Sequence, residues 1–194
     1  MRVDETGELE TVRHAREDTR VLRRLLVVGV VGALLSLPAL AHAGTVAIFY
    51  YPWYGTPAAD GGWQHWNQNS HQPPGDVYSR FYPVQGPYSS SDPRVVAHQM
   101  QQISSVGIDE VVVSWWGQGS IEDQRLPLVI SAAHRQGLVV GIHLEPYTGR
   151  SLETVAQDLA YFAALGVPDV YVYHPRDFPA ADWAALRAQT PSRM

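Results

Sequence analysis

The stretch Gly141-Ile142-His143-Leu144-Glu145-Pro146-Tyr147-Thr148-Gly149-Arg150 decides the fold. Leu138 to Leu144 is a short, apolar, β-rich run opened by Gly137, which ends the helical pattern before it, and it reads as a buried strand. Pro146 stops that strand just after a carboxylate, Glu145. His143 and Glu145 are two apart and share a face. An acid placed where a strand gives way to a loop is the usual position of a working residue in a (β/α) barrel. The alternative is a buried ion pair, with Arg150 or another Arg as the partner of Glu145.

Working outward, the same arrangement recurs. Val46 to Tyr51 is a first strand, closed by Pro52. Asp92-Pro93 opens a helix, with Asp as N-cap and Pro at its first position. Val95, Val96, Met100, Ile103 and Val106 form its apolar stripe, and Gly107 ends it. Glu110 to Ser114 is a second strand, followed by Trp115-Trp116-Gly117. Asp123 to Gln136 is a helix that turns Leu126, Val129, Ile130 and Ala133 inward. After the third strand, Ser151 to Leu165 is a helix, Val170 to Tyr173 a fourth strand, and Ala180 to Gln189 a fourth helix.

Four βα units in a row imply a parallel sheet with right-handed crossovers. No Gly-x-Gly-x-x-Gly follows a strand, so nothing favours a dinucleotide fold. The expected fold class is α/β of the (β/α)8-barrel type. A whole barrel takes ~250 residues, so residues 44–194 would hold about the first four βα units, a partial domain. A sheet of this kind has unpaired edges at its first and fourth strands, which makes self-association a further expectation.

Residues 1–43 read as lying outside that fold. A polar region ends in Arg20, Arg23 and Arg24. An apolar core runs from Leu25 to Leu37, and Ala41-His42-Ala43 is a small-x-small cleavage signal. This is the pattern of a secretory signal peptide cleaved after Ala43, and it places the mature chain outside the cytoplasm, with no stable membrane span once the leader is removed. An uncleaved anchor over residues 25–40 and a start codon set too far upstream are the alternatives. The apolar run is short for a bilayer span, which needs ~20 residues.

Composition narrows the function. The chain of 194 residues has a net charge of −5, no cysteine, and no Lys among its 14 basic residues. It offers no basic patch for nucleic acid and no thiolate for a metal or a disulfide. His143, Glu145 and His174 could be imagined around a metal, but His-x-Glu on one strand is a weak signal without ligands at fixed spacing. We expect neither metal nor cofactor.

The strand ends carry aromatic residues instead. The first strand and its end deliver Tyr50, Tyr51, Trp53 and Tyr54, and Trp63, His65 and Trp66 lie in the long segment 53–93. Five of the six Trp residues fall between 53 and 116. Sugars present apolar C–H faces that stack on such rings, and hydroxyls that need acids, amides or His. An aromatic-lined site with few charges and one carboxylate suits a neutral oligosaccharide. Core packing is the alternative for Tyr50. Trp115 and Trp116 point to opposite faces, so one ring is expected to pack inside and the other to be free.

These residues also carry a resemblance. Tyr50-Tyr51-Pro52-Trp53-Tyr54-Gly55, Trp63-Gln64-His65-Trp66, Pro87-Tyr88-Ser89-Ser90-Ser91-Asp92-Pro93, Ser114-Trp115-Trp116-Gly117 and His143-Leu144-Glu145-Pro146-Tyr147 stand in order over residues 46 to about 175. They resemble glycoside hydrolase family 99, the endo-α-1,2-mannosidases and their bacterial relatives. The resemblance implies a (β/α)8 barrel that hydrolyses α-mannosidic bonds with retention. It implies participation of the substrate's own 2-hydroxyl, with one glutamate as base and another as acid. Those glutamates belong to a C-terminal pattern like Asn-Glu-Trp-x-Glu, which this sequence does not contain. The catalytic residues are therefore not assigned, and two readings stand: a glycosidase acting on α-mannosides, or a non-catalytic carbohydrate-binding half barrel. The candidate substrate-binding residues are Tyr51, Trp53, Tyr54, His65, Trp66, Trp115, Trp116, Glu145 and Tyr147.

Overall fold

The computed structural model describes residues 44–190, and the leader expected over residues 1–43 lies outside them. Four strands, β1 (Ala47–Tyr50), β2 (Glu110–Trp115), β3 (Val139–Leu144) and β4 (Asp169–Val172), form one sheet in the order β1-β2-β3-β4. Every neighbouring pair is parallel. Ala47 pairs with Glu110, Glu110 with Val139, and Gly141 with Asp169. Four helices alternate with the strands: α1 (Pro93–Ser105), α2 (Ile121–His134), α3 (Leu152–Ala164) and α4 (Ala180–Arg187). This is the expected run of βα units, a partial barrel. Among the described residues no helix is long and apolar enough to cross a membrane.

The two faces of the sheet differ because side chains alternate along each strand. Val111, Val113 and Trp115, with Val140, Ile142 and Leu144, point towards the helices. There they join Val96, Met100, Leu126, Val129, Val155, Leu159 and Phe162 in one buried cluster. Tyr50 belongs to this side too, and its hydroxyl donates to Gln99 Oε1 on α1 at 2.7 Å. The other face corresponds to a barrel interior and carries Phe49, Ser114, His143 and Tyr171. Glu110 also lies on it. A Cβ added at Gly141 would meet Glu110 Oε1 at 2.2 Å, so the glycine makes room for that carboxylate.

Helix starts follow their caps. The Asp92 carboxylate accepts from the Arg94 amide at 2.8 Å, and Ser151 and Thr154 form a capping box on α3. The helix expected from Asp123 starts two residues earlier, because Ser120 caps it and accepts from the Asp123 amide at 3.1 Å. Asp123 is freed for other partners. Its carboxylate accepts from Trp115 Nε1, the Gly119 amide and the Tyr161 hydroxyl. Val106, expected in the buried stripe of α1, is 75% exposed, because that helix ends at Ser105.

The long segment after β1 is folded, not loose. It holds a helical turn at Pro57–Asp60 and a 3-10 turn at Gln68–Ser70. An antiparallel bridge between Gly55 and Gln64 closes its first part, with both backbone bonds at 3.1 Å.

Candidate functional site

At the C-terminal end of the sheet, Glu145 is the organising group. Its Oε1 accepts from the Ser114 hydroxyl at 2.7 Å and lies 2.9 Å from His143 Nδ1. Ser114 pairs with His143 in the β2–β3 register, so strand pairing brings both groups to the same carboxylate. Both contacts fall on Oε1, which leaves the second oxygen to accept from a ligand hydroxyl. The alternative partner Arg150 goes elsewhere, to the Asp177 carboxylate and the Tyr173 carbonyl.

Aromatic rings extend from this centre. The Phe49 ring lies 4.9 Å from His143 and 6.3 Å from Tyr51, centroid to centroid. Tyr51 lies 4.6 Å from Trp53, which stacks on His65 at 5.0 Å. Tyr54 lies 6.2 Å from His65 on its other flank. His65 holds a positive φ of 59°, which turns its ring back onto Trp53. Burial, helped by the Arg125 charge and opposed by Glu122, keeps the His65 imidazole below its ordinary range, so it is neutral at pH 7. Burial likewise raises the Tyr54 phenol. Tyr51, Trp53, His65 and Glu145 are thus linked by a continuous run of rings, and Trp116 stands on the same side at the end of β2, 40% exposed.

Two of the expected contacts, Trp115 and Trp66, take other places. Trp115 is 0% exposed, packs edge-on against Phe162 at 4.7 Å and donates from Nε1 to Asp123. It belongs to the helix-facing core, as alternation requires of one member of the Trp pair. Trp66 is 1% exposed, lies 4.0 Å from Tyr54 and donates to the Tyr88 carbonyl at 2.8 Å, so it is the packed centre of the long loop. Tyr147 lines the cavity beside Trp116 and reaches α3, where its hydroxyl donates to Asp158 and lies 3.0 Å from the Thr154 hydroxyl. Neither Trp66 nor Trp115 presents a ring face to a ligand.

Phe49 and Tyr173 were missed by the sequence reading. Phe49 bridges Tyr51 and His143, and Tyr173 meets the His143 ring edge-on at 5.6 Å. The signal for Phe49 was its two-residue spacing from Tyr51, the same argument applied to His143 and Glu145. Among the described residues no group of three metal-ligating side chains converges. His174 stacks on Tyr173 at 4.1 Å.

Only one carboxylate among the described residues sits at this end of the interior face. Glu110 is on the same face, but four residues upstream of Ser114 on β2, which is ~13 Å at strand rise. Two protein carboxylates working together on a retained glycosidic bond stand ~5–5.5 Å apart.

A parallel partial barrel with a carboxylate and aromatic rings at the C-terminal strand ends is the architecture of a carbohydrate-active (β/α) barrel. The model of glycosyl hydrolase family 99 matches residues 42–186, and the chain belongs to that family. The glycoprotein endo-α-1,2-mannosidase of Xenopus laevis is 36% identical over 150 residues, covering 66% of this chain and 32% of that protein. That of Rattus norvegicus is 35% identical over 164 residues, covering 73% and 34%. The GH99 endo-α-mannosidase structure from Bacteroides thetaiotaomicron superposes with a TM-score of 0.64 at 28% identity, covering 72% of this chain and 48% of that one. The chain spans about a third of the length of these two curated relatives.

Proposed function

We propose that this chain is the substrate-binding part of an α-mannoside-acting glycosidase and holds an α-1,2-linked mannoside across the strand ends of its interior face. The observation that carries this reading is Glu145, fixed by Ser114 and His143 through one oxygen and flanked by the Phe49–Tyr51–Trp53–His65 rings. Glu145 accepts a sugar hydroxyl through the oxygen that Ser114 and His143 leave open. Tyr51, Trp53 and Trp116 supply apolar faces for the ring carbons. The names of the relatives, endo-α-1,2-mannosidases, support the choice of sugar and linkage.

Among the described residues, the single carboxylate at this end of the interior face favours binding without turnover by this chain alone. General acid and general base steps each contribute ~10²–10⁴-fold, and one group cannot supply both. Titration of the purified chain with α-1,2-mannobiose tests the proposal. Binding is expected, with no free mannose released. Glu145→Gln is expected to weaken it roughly tenfold, as loss of a charged acceptor costs ~1.5–3 kcal/mol. Undiminished affinity in Glu145→Gln would remove the carboxylate from the site. Sugar release abolished by the same change would make Glu145 catalytic.

The leader points to an exported protein. Edman sequencing of the mature product is expected to begin at Gly44. A product retaining residues 25–40 in the membrane fraction would favour the anchored alternative.

A further inference from the structure

Gln118 and Tyr147 each stand two residues beyond a site residue, Gln118 after Trp116 and Tyr147 after Glu145. Both side chains end on the same acid. Gln118 Nε2 donates to Asp158 Oδ1 at 3.0 Å, and the Tyr147 hydroxyl donates to Asp158 Oδ2 at 2.5 Å. Asp158 lies midway along α3 and is 4% exposed. One buried carboxylate on a helix therefore ties down the loops that follow β2 and β3.

The loops also touch directly. Gly117 adopts a φ of 100°, and a Cβ there would lie 3.2 Å from the Tyr147 ring. The other side of that ring meets Trp115 edge-on at 5.8 Å. Trp116 is thus bracketed: Trp115 before it is locked in the core, and Gly117 and Gln118 after it are pressed and bonded to the Tyr147–Asp158 pair. Helix stability does not require Asp158, because α3 already has its own capping box at Ser151 and Thr154. Among the described residues Asp158 makes no ion pair that would explain its burial, and its two hydrogen bonds both leave the helix for the loops. Burial raises the Asp158 carboxyl, while the Tyr147 phenol is pushed up to about 12, so the tyrosine remains a donor throughout the physiological range.

We propose that Asp158 is a positioning residue that sets the Trp116 ring relative to the Glu145 carboxylate by holding Gln118 and Tyr147 on one anchor. The proposal deepens the mannoside-binding reading and rests on it for the identity of the ligand. Asp158, buried beneath the loops, acts through the two of them.

The test is a double-mutant cycle on the purified full chain, with α-1,2-mannobiose as the probe and calorimetry as the readout. Asp158→Asn is expected to weaken binding several-fold in the wild-type background and to have little further effect when Trp116 is already Ala. An equal loss in both backgrounds, or no loss from Asp158→Asn, would overturn the proposal. Gln118→Ala, at an exposed side chain, repeats the cycle if Asp158→Asn fails to fold, with a smaller loss and the same coupling expected. A second readout needs no sugar. The ¹⁹F resonance of 5-fluorotryptophan at Trp116, assigned by its disappearance in Trp116→Ala, is expected to shift and broaden in Asp158→Asn and in Gln118→Ala. An unmoved resonance in a folded variant would overturn the proposal whatever the sugar does. A moved resonance in a chain that binds no mannobiose would sustain the positioning role and overturn the mannoside reading instead.

Discussion

The guanidinium of Arg125 on α2 meets the carboxylate of Asp60 at 2.9 Å, across 65 residues of sequence, with the two side chains 3% and 6% exposed. The same guanidinium donates to Gln64 Oε1 at 2.6 Å, the Pro52 carbonyl at 2.7 Å and the Ser91 hydroxyl at 2.9 Å. One planar fork therefore gathers both ends and the middle of the segment between β1 and α1. That segment carries Trp53, Tyr54, His65 and Trp66. Conformational entropy opposes ordering so long a connection, and this buried hub is what offsets it.

Replacing Arg125 by Met leaves the Asp60 carboxylate buried without its cation, and breaking a buried pair in this way costs ~3–5 kcal/mol. We expect Arg125→Met to lower the urea midpoint sharply and to open residues 53–92 to limited proteolysis. Arg125→Lys is expected to recover only part of the loss, because a point charge cannot reach four acceptors at once. Wild-type protease resistance in Arg125→Met would show that the loop is held by its aromatic packing instead.

Asp60 also predicts an acid limb. Burial alone would raise its carboxyl, but hydrogen bonds from Ser89, Ser91, the Thr56 amide and Arg125 outweigh it and hold the value at about 2, against 3.8 for the free group. The folded state thus prefers the ionised form. The resulting stability, on the order of 2 kcal/mol, is fully present above the unfolded value and is lost as pH falls from about 3.8 towards about 2. Asp158 is shifted the other way, so it favours folding when protonated and gives a limb of opposite sign. The Asp60 contribution is isolated by comparing the melting temperature of wild type and Asp60→Asn from pH 5 to pH 2. The gap between the curves should narrow across that window, and a constant gap would contradict the assignment.

The two adjacent tryptophans should separate cleanly. Trp115→Ala empties a core position and is expected to cost ~3–5 kcal/mol of stability. Trp116→Ala removes a half-exposed ring, so stability should move little, while mannoside affinity drops by about 1 kcal/mol, several-fold. Chemical denaturation and titration on both variants check this, and a reversed pattern would exchange their roles.

Among the described residues β1 and β4 each pair on one side only. Unpaired strands are templates for further pairing. We expect the purified chain to sediment as dimers or larger species that cover these edges. A monodisperse monomer with a cooperative melt would show that the edges are protected in another way.

The order of elements was legible because it rests on local signals. Apolar runs of strand length, Asp92 and Ser151 as caps, and Gly107, Gly137 and Gly166 past helix ends each specify their own neighbourhood. Once the strands were placed, period-two alternation put His143 with Glu145 and split Trp115 from Trp116. Alternation fixes faces and not partners. It could not say that Arg125 would gather Pro52, Asp60, Gln64 and Ser91, that Trp66 would become the centre of its loop, or that Asp158 would bind Gln118 and Tyr147. Those contacts join residues 11 to 73 positions apart. Their geometry is set by how helices pack on the sheet, and no spacing within a single element encodes it.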